Sequence, residues 1–177
     1  MRNKGFTLVE IVVVLAVIAI LITILVPAAT KSIAKAKASN QAALYNSVKT
    51  AYAAYYADTG LKRVMFPSEG LVVNGFSDST WNGPYLDKIP QNNYYSGAVQ
   101  LNKEGQIQYS AANYFDLDGN GTGETQGYMY RMYIADSADR QQVDAALDNS
   151  TLTTWEDMGV AREDATATYL DYLILPD

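Results

Sequence analysis

Apolar and polar positions are distributed unevenly along this chain. Residues 11–26 read IVVVLAVIAILITILV, with Thr23 the one polar interruption. The apolar stretch from Phe6 to Ala29, wound as a helix, would span roughly 36 Å, enough to cross a bilayer. From Ala28 to Asp58 the pattern changes. Ile33, Leu44, Val48, Tyr52 and Tyr55 fall near a 3.6-residue stripe, with Lys31, Lys35 and Lys49 elsewhere, which predicts an amphipathic continuation of the same helix. Its end is expected at Thr59-Gly60, where glycine supplies the left-handed turn. Pro27 denies a backbone bond to the Thr23 carbonyl and predicts a kink or a local melt.

Beyond Gly60 turn residues are dense. Leu61 to Asn93 has no sustained period and reads as a connecting loop. Gly97–Leu101, a turn at Asn102–Gly105, and Gln106–Tyr109 predict a hairpin. Tyr128–Ile134 is a second strand. Ser137–Leu147 is a short helix capped by Ser137 or Asp136, and Ala167–Leu175 a final strand. With strands packed on the stem helix, the fold class is α+β.

Composition narrows the chemistry. There is no Cys and no His, which excludes disulfides, thiolate or imidazole metal sites and the Ser-His-Asp triad. Up to Arg63, eight basic residues face Glu10 and Asp58, a balance of +6; the net charge of −6 therefore leaves −12 for the remainder. An acidic head repels phosphate backbones, so no direct nucleic-acid binding is expected, and a cation partner is more natural. The basic leader Met1–Gly5 places the head across the membrane from the cytoplasm. A cleavable secretory signal ending near Pro27-Ala28-Ala29 is the plain alternative. Glu10 inside the apolar run, and a helical pattern that continues past Ala29, count against it.

Lys4-Gly5-Phe6-Thr7-Leu8-Val9-Glu10, followed by the aliphatic run and Pro27, resembles the prepilin signature of type IV pilins and type II secretion pseudopilins. That resemblance implies a pilin-like ladle fold, cleavage by a prepilin peptidase after Gly5, methylation of Phe6, and polymerisation through the N-terminal helix. It also implies that the region around Pro27 loses helicity on entering a filament. Domain limits follow as a leader over 1–5, a helix over 6–60 with a membrane or filament-core part (6–29) and a stem (30–60), and a head over 61–177.

Each position also has a physical reading. Gly5 leaves the peptide bond open to a protease. Glu10 needs a counter-charge in a low-dielectric setting, and the amine of a cleaved Phe6 on a neighbouring copy would set the axial register. A solvated Glu10 at headgroup depth is the alternative. Tyr45, Tyr52, Tyr55 and Tyr56 at helical spacing read as core and interface packing, with the electron-conducting stacks proposed for some pili as the less favoured alternative. Trp81–Pro90 is similar to the major pseudopilins in its Tyr-Leu-x-Lys-Ile-Pro element. The chain lacks the C-terminal Cys pair of many Gram-negative pilins.

One cluster has ligand spacing. Asp116-Leu-Asp118-Gly-Asn120-Gly121-Thr122-Gly-Glu124 fits the first half of an EF-hand-type loop. Asp116, Asp118, Asn120, the Thr122 carbonyl and Glu124 would hold calcium, although Gly127 stands where the bidentate Glu belongs. A solvated turn joining two strands is the alternative. The expected function is a structural, non-enzymatic subunit of a helical filament. Its expected partners are copies of itself, the prepilin peptidase, the pilus or secretion assembly machinery and, before assembly, the prokaryotic cytoplasmic membrane; after assembly it would lie in an extracellular or periplasmic filament. A membrane-tethered extracytoplasmic binding module with an acidic calcium-binding head is the second reading. A hydrolase using Asp116 and Asp118 is disfavoured, since their spacing suits a cation better than separated general acid and base.

Overall fold

The computed structural model describes residues 6–94, 104–118, 122–148, 159–163 and 168–177. The chain divides into two compact units, Met1–Ala36 and Lys37–Asp177. Helix α1 (Leu8–Thr59) contributes to both. In the first unit every described residue from Phe6 to Ile33 is exposed, and α1 is, among the described residues, the one helix long and apolar enough to cross a membrane.

Helical geometry runs unbroken through Pro27, so the expected local melt is absent. Proline removes one hydrogen bond from a long ladder, and the bonds on either side hold the helix. Hydroxyls back-bond nearby, Thr23 to the Ala19 carbonyl and Thr30 to that of Pro27. At the other end Gly60 takes φ 68° and its N–H donates to the Tyr56 carbonyl at 2.8 Å, closing the helix as the sequence predicts.

The second unit is built on an antiparallel sheet of β1 (Gln106–Phe115), β2 (Thr125–Tyr133), β3 (Ala161–Glu163) and β4 (Tyr169–Pro176), in the order β1-β2-β4-β3. Helix α2 (Ser137–Asp148) follows β2. Its cap is Asp136, whose carboxylate accepts from the N–H groups of Ala138 and Asp139 at 2.8 and 3.2 Å. The architecture is α+β, a long N-terminal apolar helix with a small antiparallel sheet.

The buried stripe of α1 is Ala38, Gln41, Ala42, Tyr45, Val48, Ala51, Tyr52 and Tyr55, recurring every three or four residues. It joins Ile107, Tyr130, Met132, Leu170, Tyr172 and Ile174 in one core. The Tyr45 hydroxyl donates to the Leu170 carbonyl at 3.1 Å, and that of Tyr172 to Asn46 at 2.8 Å, so polar tips fix the helix on the sheet. Strand β4 is buried continuously from Leu170 to Ile174 because it is covered on both faces. Leu170, Tyr172 and Ile174 face the main core, while Leu173 packs with Phe115 and Met129. On that second face Asp171, fully buried, accepts a bidentate pair from Arg131 at 2.6 and 2.7 Å.

Several expectations are corrected. Residues 95–103, half of the expected Gly97–Tyr109 hairpin, lie outside the described residues; its other half, Gln106–Tyr109, opens β1, which pairs antiparallel with β2. Strand β1 runs on from Tyr109 to Phe115 because Phe115 pairs with Thr125 beyond a register shift, although Ser-Ala-Ala-Asn does not alternate. The segment 61–93 is more ordered than a plain loop. Met65 bridges to Ile107, Ser68–Val72 forms a π-helical turn, and Leu71 accepts from the N–H groups of Tyr85 and Leu86. Tyr56 is exposed rather than core.

Candidate functional site: the helix start and the acidic turn

Two places gather the residues that the sequence singles out. At the first, Thr7 precedes helix α1 and its backbone N–H and hydroxyl both donate to the Glu10 carboxylate at 2.8 Å. The Glu10 N–H donates back to the Thr7 hydroxyl at 3.3 Å. This is a capping box, with Thr7 as N-cap and Glu10 three residues on. Glu10 is thus engaged within its own chain before any neighbour is present. The sequence carried the signal, since Thr-x-x-Glu before an apolar run is that pattern, but the reading of Glu10 as a charge awaiting a partner obscured it. Phe6 is 84% exposed beside it. Gly5 lies outside the described residues.

The second place is the turn between β1 and β2. Asp116, Asp118 and Glu124 each present a carboxylate oxygen, and these atoms all lie within 4.8 Å of one another. Strand pairing brings them together: Phe115 ends β1, its carbonyl accepts from the Glu124 N–H at 3.0 Å, and Thr125 opens β2. Asp116 is 2% exposed, whereas Asp118, Thr122 and Glu124 face solvent. Asn120 lies outside the described residues. Gly127, at the twelfth loop position, sits in β2 paired with Pro176, and a Cβ there would come within 2.5 Å of the Leu175 carbonyl. Any ligand set is therefore confined to the turn itself. Three oxygens of one sign so close together suit a divalent cation with six to eight oxygen ligands, of which water would supply several.

The segment 81–90 is held against the π-helical turn. The Trp81 indole N–H donates to the Gly70 carbonyl at 2.8 Å, and its ring meets Tyr85 edge-on at 5.7 Å.

A family described as PilW, C-terminal, matches residues 32–120, and one described as the prokaryotic N-terminal methylation motif matches residues 1–26. The chain belongs to the type IV pilin-like family, since the first match spans half of it and the second covers the cleavage motif. It is similar to the fimbrial protein EcpC of Eikenella corrodens, 33% identical over 87 residues that make up 49% of this chain and 53% of that protein. It is likewise similar to the type IV major pilin protein PilE of Neisseria gonorrhoeae, 30% identical over 91 residues, 51% of this chain and 52% of that one. The chain thus spans about half the length of the curated relatives it matches. No solved structure matches it.

Proposed function

We propose that this protein is a non-enzymatic subunit of a type IV pilus-like filament, held in the cytoplasmic membrane by residues 6–29 until a prepilin peptidase cuts after Gly5. The observation that carries this reading is the exposure of the apolar segment. Every described residue from Phe6 to Ile33 is exposed, and a helix apolar on all sides requires lipid or other helices around it. Lipid covers it before assembly and copies of the same helix cover it afterwards. The Thr7–Glu10 box keeps the carboxylate hydrogen-bonded during the transfer. In the filament the new amine of Phe6, methylated or not, is the nearest cation for Glu10 of a neighbouring copy. The absence of Cys and His from the sequence agrees with a structural role.

Cross-linking tests the reading. The chain has no Cys, so single substitutions such as Ile11→Cys and Val14→Cys give unique handles. In cells carrying the assembly machinery, oxidation should yield a ladder of cross-linked copies; monomers alone would favour a membrane-tethered binding module.

We also propose that the acidic turn binds calcium through Asp116, Asp118, Glu124, the Thr122 carbonyl and Asn120. The mutual proximity of the three carboxylates supports it. With Gly127 fixed in β2 the site lacks a bidentate closing ligand, so its affinity falls in the range of extracellular modules, on the order of 10⁻⁴ to 10⁻³ M.

A further inference from the structure

Where helix α1 leaves its apolar segment, its polar groups are sorted. Thr30 and Ser32 turn their hydroxyls back on the helix, donating to the carbonyls of Pro27 and Ala28 at 3.0 Å each. The groups left to meet the surroundings are the ammonium ions of Lys31 and Lys35. Both residues are exposed, and among the described residues neither takes part in an ion pair. They stand four positions apart, one above the other on the same helix face. No acid occurs between Glu10 and Asp58, so the helix around them offers no counter-charge.

Depth follows from the helical rise. With the hydrocarbon layer over residues 6–29, Lys31 lies about 3 Å beyond its edge and Lys35 about 9 Å. The headgroup layer is roughly 5–7 Å deep on each side. Side chains on a helix tilt toward its N-terminus, so both lysines lean back toward the bilayer, and their long stems carry the charge to the level of the lipid phosphates.

We propose that Lys31 and Lys35 dock on anionic phospholipid headgroups of the leaflet from which the head emerges, and so fix the depth of the helix before assembly. The inference rests on the membrane reading above. Two ammonium groups meet phosphates at the edge of a low-dielectric layer, where their attraction is stronger than in open water. The occupant is lipid rather than free phosphate, because the lysine face continues the apolar segment and lipid holds its phosphates at the height the lysines reach. Leader cleavage sharpens the effect. It would remove Arg2 and Lys4 from the other end, leaving the basic residues nearest the apolar segment all on the head side.

The test uses the full chain in vesicles of mixed phosphatidylcholine and phosphatidylglycerol, with Ala28→Cys, exposed and three residues before Lys31 on its face, as the one thiol. A bimane is attached there. Its quenching is compared for either lipid carrying a nitroxide near the top of one acyl chain, at equal mole fraction. Surface attraction enriches an anionic lipid roughly fivefold per lysine, so phosphatidylglycerol should quench at least about twofold more than phosphatidylcholine. Lys31→Gln with Lys35→Gln should bring the two lipids level, and Lys31→Arg with Lys35→Arg should keep the preference, with circular dichroism reporting that the helix is retained. Inorganic phosphate should compete no better than chloride at equal ionic strength; stronger competition would assign the lysines to free phosphate and overturn the docking. Equal quenching in the parent would also overturn it, as would a preference that survives both glutamines. So would a carbodiimide cross-link between copies that the glutamines abolish, since the lysines would then belong to acids of a second copy. A bimane that neither lipid quenches would instead contradict the membrane reading, and the docking with it.

Discussion

The Thr7 hydroxyl donates to the Glu10 carboxylate at 2.8 Å across the first turn of the apolar helix. On the proposed reading, the residue that a filament would use for register is already hydrogen-bonded in the isolated subunit, and assembly would exchange one set of partners for another. Glutamine retains the geometry of a capping box while losing the charge. Glu10→Gln should accordingly insert in the membrane with its helix start intact and yield few or no filaments. Thr7→Ala should fray the first turn, read as faster amide exchange at Leu8 to Glu10, with the carboxylate still available for assembly. Normal filament yield from Glu10→Gln would remove the charge from the account.

Gly5→Leu should block leader cleavage and leave the precursor in the membrane, because a bulky side chain then occupies the cleavage position. The check is the intact mass of the membrane fraction. Efficient loss of the leader from that variant would contradict the assignment of Gly5.

The core between helix and sheet should respond to its polar tips. Tyr45→Phe deletes the bond to the Leu170 carbonyl at a fully buried site and should cost about 1–2 kcal/mol, measured by urea unfolding of a fragment spanning 37–177. Tyr45→Ala should cost about 3–5 kcal/mol, as large aromatic truncations do. A fragment starting at Gly60 would lack Tyr45, Val48, Tyr52 and Tyr55, which belong to the core, and should not fold cooperatively.

Much of the core and little of the local detail were legible in the sequence. The helical stripe at Val48, Tyr52 and Tyr55 stood out because one side of the helix is buried and the other wet, and β2 and β4 carry dense β-forming residues. Strand β3 has three residues and exists only because β4 pairs with it. The continuation of β1 to Phe115 depends on pairing across the turn rather than on the residues themselves. The acidic turn was visible as spacing, but only pairing of Phe115 with Thr125 shows why Asp116 and Glu124 approach each other. The phenol–carboxylate contacts joining Tyr55 to Asp78 and Tyr109 to Asp177 link distant segments and leave no local signature.

Alkali should unfold the second unit. Burial pushes the phenols of Tyr45, Tyr130 and Tyr52 well up from the ordinary value, and burial pushes Tyr94 up to about 12. With folded values above unfolded ones, these groups stabilise the fold fully below about pH 10, and that contribution is lost as pH rises through the folded values. Phenolate absorbance of the buried tyrosines should thus appear together with loss of the near-ultraviolet dichroism. Smooth titration of all tyrosines near pH 10 with the fold intact would refute this.

Calcium should raise the melting temperature of the 37–177 fragment, since binding contributes RT ln(1 + [L]/Kd), about 2.7 kcal/mol at a hundredfold excess over Kd. Magnesium, which demands a near-ideal octahedron, should do so far less. Asp118→Ala should abolish the calcium response and leave leader cleavage unchanged. Identical melts with calcium, magnesium and chelator would leave a solvated turn.

The most direct test of the filament account is the intact mass of the chain in the sheared extracellular or periplasmic filament fraction of cells that carry the assembly machinery. The account predicts that the protein is recovered there beginning at Phe6, with or without a methyl group. Recovery only from membranes, with Met1–Gly5 still attached, would contradict it.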